Sequence, residues 1–256
     1  MYSLISKLIS QGHLDCPTWV GNNIIFEGLV GSRAYGLETD DSDYDIIGIC
    51  IPPKENVFPH LNGEICGFST QTPQFKVFQK HHVKYANRVY DFKIYSIVSF
   101  FNLAMGNNPN ILEALFLPPE CVLFTTAISE AMYLNRRLFL HKGCWPRFKG
   151  YATSELKNAI SEEGACNSKA ASRVVHLLGL VEQLLNGEDL NLQKNQKNLQ
   201  DIREGNCTKE QIIEFFNICI PRLDDLCKES KLPEIPDEFV ILTFLQNCLD
   251  TYYAEI

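Results

Sequence analysis

Membrane segments are missing from this sequence. Its apolar runs fall short of the roughly 18 residues that a membrane-spanning helix needs. The first residues, "MYSLISKLISQGH", contain no sustained apolar stretch of the kind found in a secretory leader. We therefore expect a soluble, cytoplasmic protein with no membrane partner.

Positive charge is also scarce. The 256 residues include 23 lysines and arginines against 31 acidic residues, and the formal net charge is −8. Broad wrapping of DNA or RNA needs a cationic surface that releases counterions, so this charge argues against wrapping but leaves room for a local basic cleft. The ten cysteines include no C-x-x-C pair, which favours reduced thiols over a disulfide framework. A P-loop, a zinc signature and a Ser-His-Asp order are missing as well.

The sequence has two parts that differ in their pattern of apolar residues. Before about residue 120, short apolar runs separated by turn residues predict four strands: "NIIFEGLV", "YDIIGICI", "RVYDFKIY" and "CVLF". From about residue 127 the apolar residues recur every three or four positions, which predicts helices, while the polar segment "NGEDLNLQKNQKNLQ" is predicted to be a solvated connection. These patterns favour an α+β fold in which a small mixed β-sheet precedes a helical half, with domains at 1–125 and 126–256.

The stretch "GLVGSRAYGLETDDSDYDIIGICIPP" places acids at the start of an apolar strand. Asp43 and Asp45 are two residues apart, so both point to one face of a strand, where two carboxylates repel unless a cation lies between them. Oxygen ligands of this kind suit Mg²⁺ or Mn²⁺. Taken alone, the segment is equally compatible with a calcium-binding or simply solvated acidic loop.

Two further elements sharpen this interpretation. Gly31 and Ser32 follow the first strand, where glycine lets backbone N–H groups approach a phosphate and the serine hydroxyl adds a donor. Asp91 stands in the apolar strand "VYDFKI", where a lone carboxylate needs a partner. Together, Asp43, Asp45 and Asp91 could hold two metal ions for an in-line phosphoryl displacement.

The order Gly-Ser, ten residues, Asp-x-Asp and a later acid in an apolar strand resembles the nucleotidyltransferase superfamily that includes DNA polymerase β and poly(A) polymerases. More narrowly, "FKGYATSEL" and "KAASRVVHLLGL", with the front motifs, resemble the RlaP-like predicted nucleotidyltransferases, some of which are associated with RNA repair. The resemblance runs from about residue 24 to about residue 215. It implies a palm-like core at 1–125 and a helical domain at 126–256 that completes the cleft.

The resemblance also implies roles. Gly31 and Ser32 would contact the triphosphate, Asp43 and Asp45 would bind Mg²⁺ or Mn²⁺, and Asp91 would be third ligand and base toward the acceptor. The implied activity moves NMP from an NTP, such as ATP, to an acceptor hydroxyl with release of pyrophosphate. An RNA 3′ end is the favoured acceptor, a protein side chain or small molecule is an alternative, and a non-catalytic nucleotide-binding protein is the competing class. Similar proteins often carry arginine where this chain has Gly179.

The helical half offers cations to such a site. Lys169, Arg173 and His176 are spaced i, i+4 and i+7, which places them on one helix face. Lys169 is the first candidate for the triphosphate and Arg173 the second, although Arg173 could pair with a surface carboxylate instead. His176 is predicted to be a buried core histidine more readily than a catalyst, yet its titration near neutral pH keeps both roles open.

Other residues allow two interpretations. Arg33 and Tyr35 could contact phosphate or base, or could pack the turn, and Lys93 could offset the acids or be exposed. "QKHHVKYANR" could bind a single-stranded acceptor, but an ordinary strand with a solvated face is favoured. Within it, His81 and His82 are poor candidates for a shared metal because neighbouring residues on a strand point in opposite directions.

Overall fold

The computed structural model describes residues 3–40, 42–58, 74–161 and 165–254. Its strands are β1 (Ile24–Leu29), β2 (Tyr44–Cys50), β3 (Val77–Tyr85), β4 (Arg88–Ser96) and β5 (Val122–Thr125). They form one sheet in the order β3-β4-β2-β1-β5. Strands β2 and β4 are parallel, and the other neighbouring pairs are antiparallel, so the sheet is mixed as predicted.

Helices precede the sheet, connect its strands and make up the second half of the chain. They are α1 (Leu4–Ser10), α2 (Thr18–Asn22), α3 (Lys54–Val57), α4 (Ile97–Met105), α5 (Pro109–Leu115), α6 (Ala127–Leu134), α7 (Cys144–Ile160), α8 (Ser168–Leu185), α9 (Gln196–Arg203), α10 (Lys209–Glu229) and α11 (Glu238–Ala254). Helix α4 begins after Ser96, whose side chain accepts a hydrogen bond from the Ser99 N–H. The α+β class is therefore confirmed.

Both faces of the sheet are covered. One face, with Ile46, Phe92 and Ile94, packs against α1. The other face belongs to a larger cluster that includes Ile47 and Phe101 together with Phe148 and Leu178 of the helical half. Because one apolar cluster contains side chains from both sides of residue 125, burial of the sheet depends on the helices. The division into domains at 1–125 and 126–256 stays a prediction.

Helix α1 was not predicted, and a buried acid explains its position. Glu27 of β1 is fully buried and accepts hydrogen bonds from the N–H groups of Leu4 (2.8 Å) and Ile5 (3.0 Å). Burial raises the pKa of Glu27, against the lowering effect of its hydrogen bonds to Ser3, Leu4 and Ile5. The carboxyl group thereby satisfies N–H groups that the first turn of a helix leaves without an intrahelical partner.

The predicted solvated connection, residues 186–200, is confirmed in part: residues 186–195 join α8 to α9 and are mostly exposed, but residues 196–200 are helical. Leu190, Leu192 and Leu199 are buried within that segment, and Leu199 belongs to the large apolar cluster. Most residues of this segment are polar and exposed, and the three leucines among them were not recognised as buried. This segment also touches the Gly-Ser turn, as described below.

Two other predictions concerned membrane-spanning helices and the state of the cysteines. Within the described ranges, no helix combines the length and apolar character needed to cross a membrane. Nine cysteines lie in those ranges, and all nine are free thiols, as the spacing of the cysteines predicted.

Candidate active site

The acids meet at one edge of the sheet. Asp45 of β2 is paired in register with Asp91 of β4, because these two strands are parallel neighbours. Asp43 lies two residues before Asp45, just ahead of β2. All three carboxylates line a cleft of about 970 Å³. The structure thus brings together the three acids that the sequence singled out.

The Gly-Ser turn forms the adjoining part of the cleft. Gly31 follows β1 with a φ of +68°, a left-handed conformation that glycine adopts without steric cost. A Cβ atom at this position would lie 2.5 Å from Oδ2 of Asp45, well inside van der Waals contact. Glycine is therefore required here twice, by its backbone conformation and by the close approach of the Asp45 carboxylate. Ser32 lines the same cleft.

The environment separates the pKa values of the two paired acids. Burial raises the pKa of Asp45, and the charges of Asp91 and Asp43 raise it further, while Lys169 and His81 act in the opposite direction. Burial also tends to raise the pKa of Asp91, but hydrogen bonds to His81 and His82 outweigh that effect and lower it. Asp91 is thus held ionised, whereas Asp45 lacks enough positive charge nearby.

His81 and His82 form the part of β3 that faces Asp91. Nδ1 of His81 is hydrogen-bonded to Oδ2 of Asp91 at 2.8 Å, and the backbone N–H of His82 donates to Oδ1 at 2.8 Å. A ring nitrogen of His82 and carboxylate oxygens of Asp43 and Asp91 all lie within 4.8 Å of one another. The argument that these histidines point in opposite directions was wrong, because the strand is bulged at this point.

Helix α8 supplies the opposite wall. Lys169 is exposed and lines the cleft near Asp45. Arg173 also lines the cleft, but its guanidinium is engaged by the protein: it pairs with Glu113 (2.9 Å) and donates to the Tyr35 hydroxyl (2.6 Å) and to Oδ1 of Asn110 (2.8 Å). Arg173 thus pairs with a carboxylate, but with the buried Glu113 and not with the surface carboxylate that was considered from the sequence.

His176 is buried on the inner side of α8. Its ring lies 4.1 Å from the ring of Tyr35, and its side chain is 5% exposed. Burial, reinforced by the charges of Arg173 and Arg203, lowers the pKa of His176 well below its ordinary value of 6.5. The ring is thus neutral near pH 7, and its 3.9 Å approach to Glu113 is not an ion pair. This position matches the interpretation of His176 as a core histidine.

The residues after the Gly-Ser turn pack that turn. Arg33 lies over the ring of Tyr44, 3.6 Å from its centroid, and donates a hydrogen bond to the Ser42 carbonyl (2.9 Å). The Tyr35 hydroxyl donates to Glu113. Lys93 lines the cleft, with its ammonium 5.4 Å from the ring centroid of Tyr95.

Sequence reasoning missed Glu113 and the support behind the turn. Glu113 is 3% exposed in "NILEALF", and a lone acid among apolar residues is the same signal that identified Asp91. From the segment around α9, Gln196 donates to the Gly36 carbonyl and Gln193 to that of Ala34. Nothing in their local sequence predicts these contacts, because donor and acceptor are about 160 residues apart.

Gly179 also has a structural explanation. A Cβ atom on this residue of α8 would lie 2.9 Å from Nδ2 of Asn195. Asn195 thus occupies the space that a larger side chain at residue 179 would need. An arginine at this position would require the Asn195 side chain to move.

A phage protein is among the proteins that this sequence resembles. The sequence is 28% identical over 104 residues to the "Uncharacterized 38.9 kDa protein in nrdC-mobD intergenic region" of Enterobacteria phage T4. That match covers 39% of this chain, which spans only 27% of the length of the phage protein.

A solved structure and a family match complete the comparison. A nucleotidyltransferase-like protein from Exiguobacterium sibiricum 255-15 is 12% identical, over 87% of this chain and 73% of the other, with a TM-score of 0.33, a likeness too low to carry an argument. Residues 9–214 match the family described as "RlaP: RNA repair pathway DNA polymerase beta family". Since this match spans most of the chain, the protein belongs to the RlaP family of DNA polymerase β-like nucleotidyltransferases.

Proposed function

We propose that the protein is a metal-dependent nucleotidyltransferase that moves NMP from an NTP to an acceptor hydroxyl and releases pyrophosphate. The observation that carries this proposal is the in-register pair Asp45 and Asp91 on parallel strands, which lines one cleft together with Asp43, Gly31 and Lys169. An acidic edge, a glycine turn and a cation in one cleft are the parts that phosphoryl transfer needs for positioning and charge neutralisation.

The donor set fits a divalent cation. Asp43, Asp45 and Asp91 line one cleft, in which oxygens of Asp43 and Asp91 lie within 4.8 Å of each other, and the raised pKa of Asp45 reflects burial and the like charges around it. A divalent cation relieves that repulsion, and oxygen ligands suit Mg²⁺ or Mn²⁺. These residues would hold the ion, which when bound supplies charge neutralisation at the transferring phosphate. The lowered pKa of Asp91 makes it a better ligand than base, because a base works best with a pKa near the working pH.

Chain groups would then bind the nucleotide. The turn at Gly31 and Ser32 offers backbone N–H groups and a hydroxyl, and Lys169 offers a mobile positive charge for the triphosphate. Arg173 keeps N–H groups beyond those bound to Glu113, Tyr35 and Asn110, so it can add a contact from a fixed position. We assign Arg33 to supporting the turn and His176 to packing beneath Tyr35.

For the acceptor we favour an RNA 3′ end, as part of RNA repair in the cytoplasm. The words "RNA repair pathway" in the family description support this choice, and free thiols suit a reducing compartment. A protein side chain is the second acceptor class, and the same experiment distinguishes the two.

The test is a labelling experiment. The protein is incubated with each α-³²P-labelled NTP, with Mg²⁺ or Mn²⁺, and with total RNA or cell lysate, and the products are resolved on denaturing gels. The Asp43→Ala, Asp45→Ala double variant is the control, with its fold checked by circular dichroism. We expect a labelled RNA band that is absent with the double variant.

Each other outcome changes the proposal. A labelled protein band that the double variant loses would replace the RNA acceptor with a protein one. NTP binding without a labelled RNA or protein band from any nucleotide would favour a small-molecule acceptor, whose product these gels do not resolve, or a nucleotide-binding protein without catalysis. Labelling that survives in the folded double variant would remove Asp43 and Asp45 from the reaction.

A further inference from the structure

A bulge in β3 lies directly opposite Asp91. Lys80 of β3 is paired with Phe92 of β4, and the next pair is Val83 with Tyr90. Between these two pairs β3 contains one residue more than β4. The two residues between these pairs are His81 and His82, and His82 adopts a φ of +56°. A bulge sets two residues against one and redirects their side chains, which removes the alternation of an ordinary strand.

The bulge gives the two histidines different tasks. His81 is hydrogen-bonded through Nδ1 to Oδ2 of Asp91, so that ring nitrogen holds the carboxylate in orientation. His82 uses its backbone N–H for Oδ1 of Asp91. Its imidazole is thus independent of the hydrogen bond that orients Asp91, and one of its ring nitrogens lies within 4.8 Å of oxygens of both Asp43 and Asp91.

This spacing fits a shared ion. Ligand atoms bound about 2.0–2.3 Å from one ion are separated by roughly 3–4.6 Å, so small side-chain rotations bring this set into range. The set is also mixed in chemistry, with two carboxylates and one imidazole. Mg²⁺ prefers an all-oxygen environment, whereas imidazole suits first-row transition metals.

We propose that His82 supplies an imidazole nitrogen ligand to the metal ion held by Asp43 and Asp91, and that this nitrogen biases the site toward Mn²⁺ and away from Mg²⁺. The inference rests on the proposed metal site and adds a ligand that the acidic motif alone does not contain. His81 is a positioning residue that acts through Asp91. The two neighbouring histidines should therefore respond differently to substitution.

The experiment measures the metal directly, without nucleotide. Mn²⁺ is titrated into the full chain and followed by the electron paramagnetic resonance signal of the free ion, and pulsed measurements on the bound ion detect coupling to a nitrogen nucleus. The variant is His82→Gly, because glycine adopts a positive φ and keeps the N–H that donates to Asp91. His82→Asn is the second variant, since asparagine tolerates the same backbone and offers an oxygen.

Two matched controls remove other histidines. His13→Ala removes an exposed imidazole that packs against Tyr85, away from the acids. His81→Ala removes the hydrogen bond to Asp91 and leaves the ring of His82 in place. Melting temperatures of all variants establish that the fold is kept.

We expect nitrogen coupling in the wild type, in His13→Ala and in His81→Ala, and its loss in both His82 variants. Mn²⁺ affinity should fall by roughly tenfold or more in His82→Gly, with a smaller fall for Mg²⁺ measured by competition. Wild type without nitrogen coupling, coupling that persists in His82→Gly, or equal losses for both metals would overturn the assignment. The two proposals fail separately: nucleotide transfer with no nitrogen coupling removes His82 alone, and nitrogen coupling with no transfer removes the proposed reaction alone.

Discussion

The two walls of the cleft, the sheet with its acids and helix α8 with Arg173, differ in how their charges are arranged. On the sheet wall, Asp43, Asp45 and Asp91 place three like charges together, and the pKa of Asp45 is raised by burial and by its neighbours. On the helix wall, the charge of Arg173 is matched by Glu113, and the guanidinium donates hydrogen bonds to neutral groups on both sides. The sheet wall needs a ligand to balance its charge, whereas the buried Glu113–Arg173 pair of the helix wall is balanced without one.

This difference indicates where binding energy and folding energy reside. Like charges held together oppose folding, so they persist in proteins where binding or chemistry uses them. A matched buried pair contributes differently, because removing one partner leaves a charge in a poorly solvated place. Substitutions of the acids on the sheet wall should therefore change activity and spare stability, while substitution of Glu113, which balances the charge of Arg173 on the helix wall, should lower stability.

The largest effect is expected from Asp45→Asn. This change keeps the shape of the side chain and removes a charge from the acidic edge, so nucleotide transfer should fall by roughly 10²- to 10³-fold. The melting temperature should stay the same or rise, because repulsion from Asp43 and Asp91 is relieved. Asp225→Asn, at an exposed acid paired with Lys228, is the control and should leave both quantities unchanged. A variant of Asp45 that is inactive because it unfolds would break the comparison.

A large loss of stability is expected from Glu113→Gln. Arg173 would stay mostly buried without its counter-charge, which costs about 3–5 kcal/mol of the free energy of unfolding. The matched control is Glu182→Gln, which breaks an exposed pair with Arg222 and should cost less than about 1 kcal/mol. Urea denaturation at pH 7.5 measures both variants.

The double variant Glu113→Gln, Arg173→Met sharpens this result. Removing both charges should restore part of the lost stability, because no unpaired charge is then buried. If Glu113→Gln costs no more than Glu182→Gln, the helix wall does not stabilise the fold in the way described.

The smallest effect concerns the pH dependence set by His176. Its pKa in the folded protein lies well below the 6.5 of the unfolded chain, so below about pH 6.5 the unfolded state binds a proton that the folded state does not. This contribution to stability is present above pH 6.5 and is lost as the pH falls toward the folded pKa, by up to about 1.4 kcal/mol per pH unit. His176→Gln should flatten the change in unfolding free energy between pH 7.5 and pH 5.5. His13→Gln, at an exposed position, should keep the wild-type slope, and an unchanged slope in His176→Gln would show that the buried ring stays neutral at no cost.

Local sequence patterns account for much of the fold. Apolar runs and turn residues predicted four of the five strands and most of the helices, because burial of periodic apolar faces is a local signal. The remaining strand, β3, overlaps the segment 79–88, for which an ordinary strand with a solvated face was favoured. The helical end and the buried leucines of the segment 186–200 were not predicted, because the leucines are few among polar residues. They nevertheless belong to the large apolar cluster. Helix α1 was not predicted, because the acid that accepts hydrogen bonds from its first turn, Glu27, lies in β1 more than 20 residues later in the sequence.

The candidate site could be predicted from its acids and not from their partners. Asp43, Asp45 and Asp91 are recognisable because acids next to apolar strands are costly, and the structure places them in one cleft. The roles of His81 and His82 could not be predicted, because a bulge shifts the register of β3 without any mark in its alternation. The catalytic role of the three acids stays a prediction, as does the division into two domains.

The contacts between the segment around α9 and the Gly-Ser turn have a consequence for synthesis of the protein. The three acids have all been made once Asp91 leaves the ribosome, but Arg203, which donates to the Leu37 carbonyl behind the turn, follows about 110 residues later. At 5–20 residues per second the nascent chain spends roughly 6–20 s with its acids made and its turn unsupported. A chain that stops before residue 193 would carry every acid of the motif and still lack the contacts that Gln193, Gln196 and Arg203 make behind the turn.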